Sequence, residues 1–368
     1  MMYSCAPAAR GGARATVRKR GRSLTVDIHC HYMNADVAAK VTPLNPAQHE
    51  PMARYSNAAT REANMRQVEE RGAKLTDIAV RLKDMDRMGI DVQAVSPAPH
   101  QTYYWTEPGM GQELARAVNE RLAEIVAQHP DRFVALGTVP LQDVSLAVAE
   151  LEHCVRKLDM RGVEINPSVR GMDLTDAKLN LDAFFAAVQK LDVVIFMHPI
   201  GFTHGERLVN HYFSNIIGNP LETTVAASHL IFDGVMERHP KLKIVLPHAG
   251  GYLAHYWARM DHAYKARSDT RGQMKRKPST YLEKFYFDTI TFDHGMLAHL
   301  IARFGADHVL LGTDYPYDMG MERPREFIEG VKGLSTAETA GIEGGNAARL
   351  LKIDYNRAQV GQMRRRTG

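Results

Sequence analysis

The stretch VDIHCHYM (26–33) sets two histidines one residue apart at the end of an apolar run. In a strand, residues i and i+2 share a face, so His29 and His31 point together while Cys30 points away. Two imidazoles converging at a strand end suit a divalent ion such as zinc or manganese. A solvated polar pair is the plain alternative, and HxH alone does not decide between them. Three further apolar runs end in residues of the same kind: His198 in FMHP, His248 in LPHAGG and Asp314 in GTDYP. Each has an ordinary reading as well: a strand cap for His198, a turn residue for His248, a helix cap for Asp314. Four matched strand ends make four independent coincidences a poor account. Brought together, they offer imidazole nitrogens and a carboxylate oxygen around one ion, with room for water.

Residues so far apart in the chain meet only if the elements carrying them share a rim. Eight β-type runs are present, at 24–31, 92–97, 133–140, 162–166, 193–198, 243–248, 285–289 and 309–314. Between most of them lie segments whose apolar residues recur at three- and four-residue spacing, such as 112–129, 144–158, 181–191 and 221–239. Strands alternating with helices predict parallel pairing with helices outside, an α/β fold of the (β/α)8 TIM-barrel type. Near-continuous apolar strands such as VVIFM fit a sheet buried on both faces. Barrel active sites form at the C-terminal strand ends, where all of the candidate ligands fall. Two stretches interrupt the rhythm: residues 32–80 after the first strand, and a polar, aromatic loop at 199–220 after the fifth. Tyr103, Tyr104 and Trp105 follow the second strand and are candidates to line a pocket. Arg207, in HGERL, is a candidate to pair with a substrate carboxylate.

The 368-residue chain is 45% hydrophobic, as globular proteins are. Its net charge of +4 comes from its ends: six basic residues and no acid in 1–22, and Arg364 to Arg366. Without those nine cations the body stands at about −5 on the same count, so it carries no nucleic-acid footprint. The expected organisation is a basic tail over 1–23, one barrel domain over 24–353 and a basic tail over 354–368. The first tail reads as a floppy arm, a targeting segment, or extra sequence from an upstream start. No apolar run reaches the roughly 18 residues of a membrane span. Three cysteines (Cys5, Cys30, Cys154) without close pairing argue against a disulfide framework and fit a reducing, cytoplasmic setting.

The set HxH, HP, HxGG and GTDYP resembles the amidohydrolase superfamily. The resemblance runs from about residue 24 to 353 and includes RLKDMDRMGIDVQAVS (81–96), RFVALGTVPLQD (132–143) and ERHPKLKIVLPHAGG (237–251). It points to the branch holding the 2-amino-3-carboxymuconate-6-semialdehyde, γ-resorcylate and 5-carboxyvanillate decarboxylases. By position it implies His29, His31, His198 and Asp314 as ligands of one divalent metal, Zn2+ first and Mn2+ second. His248 is then the acid/base histidine, Asp314 moves a proton as well as binding metal, and Cys30 has no role. Glu164, on the fourth strand, sits where binuclear members carry a bridging group, and one metal is the favoured reading. The implied activity is non-oxidative decarboxylation of an aromatic or muconate-type carboxylic acid by a homodimer. The alternative is hydrolysis of an amide, lactone or C–C bond. Residues 62–74 depart from the arginine-bearing stretch of the semialdehyde enzymes. No GxGxxG follows the first strand, which agrees with chemistry needing no organic cofactor.

Overall fold

A strand covered on both faces must be apolar along most of its length, and the short runs of this sequence meet that condition. The structure, a computed structural model, describes residues 23–354. The expectations for the two basic tails lie almost entirely outside the described residues. The strands are β1 (Val26–Tyr32), β2 (Val92–Pro97), β3 (Phe133–Gly137), β4 (Gly162–Ile165), β5 (Val194–Met197), β6 (Lys243–Leu246), β7 (Tyr286–Asp288) and β8 (Val309–Leu310). They pair side by side in chain order in one sheet, and every pair is parallel. The two edges then meet. The Ile28 amide donates to Leu311 O at 2.9 Å, His31 to Tyr315 O at 2.8 Å, and Asp314 to His29 O at 2.8 Å. This seam closes the sheet into the expected (β/α)8 barrel.

Helices pack around it because each presents one apolar stripe. Leu122, Ile125, Leu151, Phe184, Val188 and Leu300 are buried between helices and sheet. A second cluster, including Val26, Ile28, Ala94, Leu136, Phe196 and Val245, fills the barrel. Helix starts are fixed locally. Asp143 caps Val144–Arg156 by accepting from the Leu146 amide, and Asp293 caps His294–Phe304 through the Met296 amide.

Three local features differ from expectation. Residues 32–80 are mostly helical, with Ala58–Thr76 the longest element and Ile78–Met88 leading into β2. The segment 221–239 is not one helix. Gly218–Phe232 ends before Gly234, whose φ of 77° is left-handed, and Val235–Arg238 follows. The strands also end earlier than the apolar runs, so His198, His248 and Asp314 sit on the first turns beyond β5, β6 and β8.

The site depends most on an irregularity in β1. Asp27 pairs with Gln93 and Cys30 with Val95, so β1 uses three steps where β2 uses two. That extra residue is a β-bulge. Before it, Val26 and Ile28 face the barrel interior; after it, Cys30 and Tyr32 face the outer layer. The inward side therefore passes to His29 and His31. Asp27 pins the bend. Its carboxyl accepts from the His29 amide (3.1 Å), the Thr313 amide (3.1 Å), the Gln93 side chain (3.0 Å) and the Thr313 hydroxyl (2.6 Å).

Candidate metal centre

The bulge and the barrel's closure bring four strand ends to one point. His29 Nε2 lies 3.2 Å and His31 Nε2 3.5 Å from Asp314 Oδ1, and His248 Nε2 lies 3.8 Å from Asp314 Oδ2. The His198 ring is centred 5.0 Å from that of His29, 4.7 Å from His31 and 5.2 Å from His248. His29 and His31 are fully buried, and the His248 side chain is the most open of the group at 15% exposure. Asp314 and His248 both have left-handed backbone, with φ of 56° and 53°. Non-glycine residues hold that conformation where surrounding structure imposes it, often at functional sites.

Buried polar atoms are normally hydrogen-bonded. Here His29 Nε2, His31 Nε2, both ring nitrogens of His198, His248 Nδ1 and Asp314 Oδ1 are buried without a hydrogen bond. Asp314 Oδ1 is near the first two but not aligned for one. A cluster of orphaned nitrogen and oxygen donors is what a cation would satisfy. One atom each from His29, His198, His248 and Asp314 lies within 4.8 Å of the others. His31 lies beside that set, with Nε2 3.5 Å from Asp314 Oδ1.

The electrostatics favour positive charge. Burial pushes the His29 imidazole down, yet Asp314 and Asp288 raise it to about 10. The field that stabilises a proton there also stabilises a metal ion. Burial pushes Asp314 up, but His29, His248 and His31 hold it well below the usual carboxylate range. His198 is lowered well below the ordinary histidine value by burial and then by the three other imidazoles, so it stays a neutral donor.

Asp288, at the end of β7, is the residue the sequence reading missed. Its carboxylate accepts from His29 Nδ1 at 2.6 Å, fixing the tautomer that leaves Nε2 free for a metal. It also accepts from the amides of His248 (3.0 Å), Ala249 (2.8 Å) and Ile290 (3.1 Å). The available signal was the one used for Asp314: an acid closing an apolar run, here FYFD. Glu164 is fully buried, with Oε2 3.5 Å from His31 Nδ1 and neither oxygen hydrogen-bonded.

Of two cavities nearby, the second is lined by His248 and the first nears the centre through Asn166, which donates to His198 O. The first, about 360 Å³, is lined by Glu50, His100, Trp105, Asn166 and Arg170. The second, about 420 Å³, is lined by His248, Tyr252, Ile290, Phe292 and Met319. Trp105 thus faces a cavity and stacks on His49, ring centres 4.4 Å apart. Arg207 is exposed on the loop after β5 and lines neither cavity.

The comparisons with known proteins agree with this geometry. The amidohydrolase family model matches residues 26–353. The chain is 32% identical over 282 residues to a 2-amino-3-carboxymuconate-6-semialdehyde decarboxylase of Dictyostelium discoideum, covering 76% of this chain and 78% of the relative. Among solved structures, it resembles 5-carboxyvanillate decarboxylase from Sphingomonas paucimobilis (TM-score 0.79, 26% identity, 90% of this chain and 100% of that one). It also resembles a dihydroxybenzoic acid decarboxylase from Polaromonas sp. JS666, solved with manganese and the inhibitor 2-nitroresorcinol (TM-score 0.75, 26% identity, 91% and 99% covered).

Proposed function

The chain belongs to the amidohydrolase family, and on that footing we propose that it is a metal-dependent, non-oxidative decarboxylase of an aromatic or muconate-type carboxylic acid. The observation carrying this reading is the ring of orphaned imidazole and carboxylate atoms at the barrel mouth.

His29, His31, His198 and Asp314 would hold one divalent ion, with His248 beside them. Imidazole nitrogens plus one carboxylate suit zinc, the first choice here, and also admit manganese, which the Polaromonas enzyme holds. When bound, the ion supplies positive charge that anchors the substrate's oxygens and stabilises negative charge developing on them. The protein's own groups do the rest. Asp288 holds His29 in one tautomer and fixes the backbone of His248. His248, the most open imidazole and 3.8 Å from Asp314, exchanges a proton with that carboxylate. Between them they deliver one proton to the carbon whose bond to the carboxylate breaks. A C–H bond replaces a C–C bond, CO2 leaves, and no oxidant is consumed. Trp105 lines the substrate's cavity. The partner is a small carboxylate. Cysteines without close pairing support a cytoplasmic setting, and exposed Ile216, Phe292 and Met296, which border the second cavity and suit coverage by a second copy, support a homodimer. No helix among the described residues is long and apolar enough to cross a membrane.

The test is metal analysis of the purified protein with a CO2-release screen over hydroxybenzoates, 5-carboxyvanillate and carboxymuconate semialdehyde. Stoichiometric zinc or manganese with CO2 from at least one acid is expected. Water incorporation into product without CO2 would replace this reading with hydrolysis.

A further inference from the structure

Glu50 stands in the segment after β1, immediately before the short helix Pro51–Arg54, and lines the 360 Å³ cavity. Several hydrogen-bonding groups of that wall already have partners, whereas the Tyr104 hydroxyl and Trp105 Nε1 are buried without one. Arg170 donates to the carbonyls of Tyr104 and Thr106, and Glu222 accepts from the Thr203 amide and hydroxyl. Asn166 donates to Pro99 O and His198 O. The Glu50 carboxyl has no hydrogen bond or ion pair among the described residues, although burial is deep enough to raise it to about 7. Arg54, on the same wall, is exposed and lies over the Tyr55 ring. The Glu50 charge reaches the hydroxyls of Tyr103 and Tyr317, and the Tyr317 ring is centred 5.4 Å from that of His31.

We infer that Glu50 is a specificity-determining residue: it accepts a hydrogen bond from a hydroxyl or amino group of the substrate and turns away a second carboxylate. The inference rests on the proposed function, in which the reacting carboxylate is held at the metal centre. From there the rest of the substrate extends into this cavity, where the Glu50 carboxyl is an unpaired acceptor. A donor arriving there satisfies it. A carboxylate meets like charge with little water between, or must protonate Glu50 to enter. A site built to pair a donor rejects the analogue lacking it, because the site's own polar group is left unpaired.

Three probes share a 2-hydroxybenzoate core and differ at one position: 2,4-dihydroxybenzoate, 4-aminosalicylate and 2-hydroxyterephthalate. Their binding to the metal-loaded full chain is measured by calorimetry, with CO2 release followed on the same samples. We expect the wild type to bind the hydroxyl and amino probes about 10- to 100-fold more tightly than the dicarboxylate. Glu50→Gln should shrink that preference to about threefold or less, mainly by admitting the dicarboxylate, and Glu50→Asp should retain part of it. The hydroxyl and amino arms identify which donor the site prefers, and either result supports the inference. An unchanged preference in Glu50→Gln, a wild type favouring the dicarboxylate, or no binding of either donor probe overturns it. If discrimination follows Glu50 but no CO2 appears, the selection stands and the decarboxylase reading fails. If CO2 is released with equal discrimination in wild type and variant, the reverse holds.

Discussion

Asp27 offers the most stringent test of how the centre is built. It touches no ligand atom of the centre, yet its carboxyl accepts four hydrogen bonds at the bulge that turns His29 and His31 inward. Asp27→Leu keeps the branched shape, adds bulk and removes every acceptor. The His29 amide and the Gln93 side-chain NH2 are then buried and unpaired, at about 1–3 kcal/mol each, or roughly 2–6 kcal/mol together, while the Thr313 amide keeps His29 O at 3.3 Å. Against a total stability of about 5–15 kcal/mol, that variant is marginal or unfolded. Asp27→Asn is the informative change. Its remaining oxygen can still accept from both amides, but its NH2 faces the Gln93 NH2. Gln93 cannot simply flip, because its oxygen accepts from Arg81 at 3.0 Å. One buried donor therefore loses its acceptor, for about 1–3 kcal/mol. The bulge loosens, and metal affinity should fall roughly 10- to 100-fold, as it does when groups orienting a ligand are changed. The assays are metal affinity by chelator competition, the cobalt-substituted absorption spectrum, and thermal unfolding. A folded Asp27→Asn protein with wild-type affinity and an unaltered cobalt spectrum would refute the claim that Asp27 sets the ligand geometry.

Asp288→Asn should weaken metal binding about 10- to 100-fold by chelator competition, since the amide cannot serve His29 Nδ1 and three backbone donors as the carboxylate does. Gly312→Ala should also lower metal affinity, because its Cβ would lie 2.9 Å from the Cβ atoms of both His29 and Asp288. An alanine variant with unchanged affinity would mean that the seam yields more easily than a packed barrel should. Burial alone would raise the Asp84 carboxyl, but the Tyr315 hydroxyl at 3.0 Å, Lys74 and Arg87 outweigh it and hold the group below the ordinary range. A depressed folded pKa gives stability above the unfolded value, about 3.9, that is lost as pH falls through the folded one. Asp84→Asn should therefore cost about 1 kcal/mol or less near neutral pH, and the two denaturation curves should converge below about pH 4.

The sequence by itself determined the barrel and most of its rim. Alternating apolar runs and amphipathic segments leave few other ways to bury both faces of a parallel sheet. Once the strands close, the residues ending them must meet, so His198, His248 and Asp314 were legible from a local pattern. Other features were decided only by contacts between distant residues. By simple alternation from Val26 and Ile28, His29 and His31 would turn outward beside Asp27. They face inward because one extra residue in β1 is held by donors from β2 and the chain after β8, sites 66 and 286 residues away from Asp27. How His31 and His248 sit against the other ligand candidates, and that Asp288 steers His29, depend equally on the packing of separate strands. Arg207 shows the same limit, since a loop residue's type says nothing of the direction in which the loop carries it. Periodicity records which side of a regular element is apolar, whereas a bulge, a turn or a loop is set by hydrogen bonds to partners that the chain brings near only on folding.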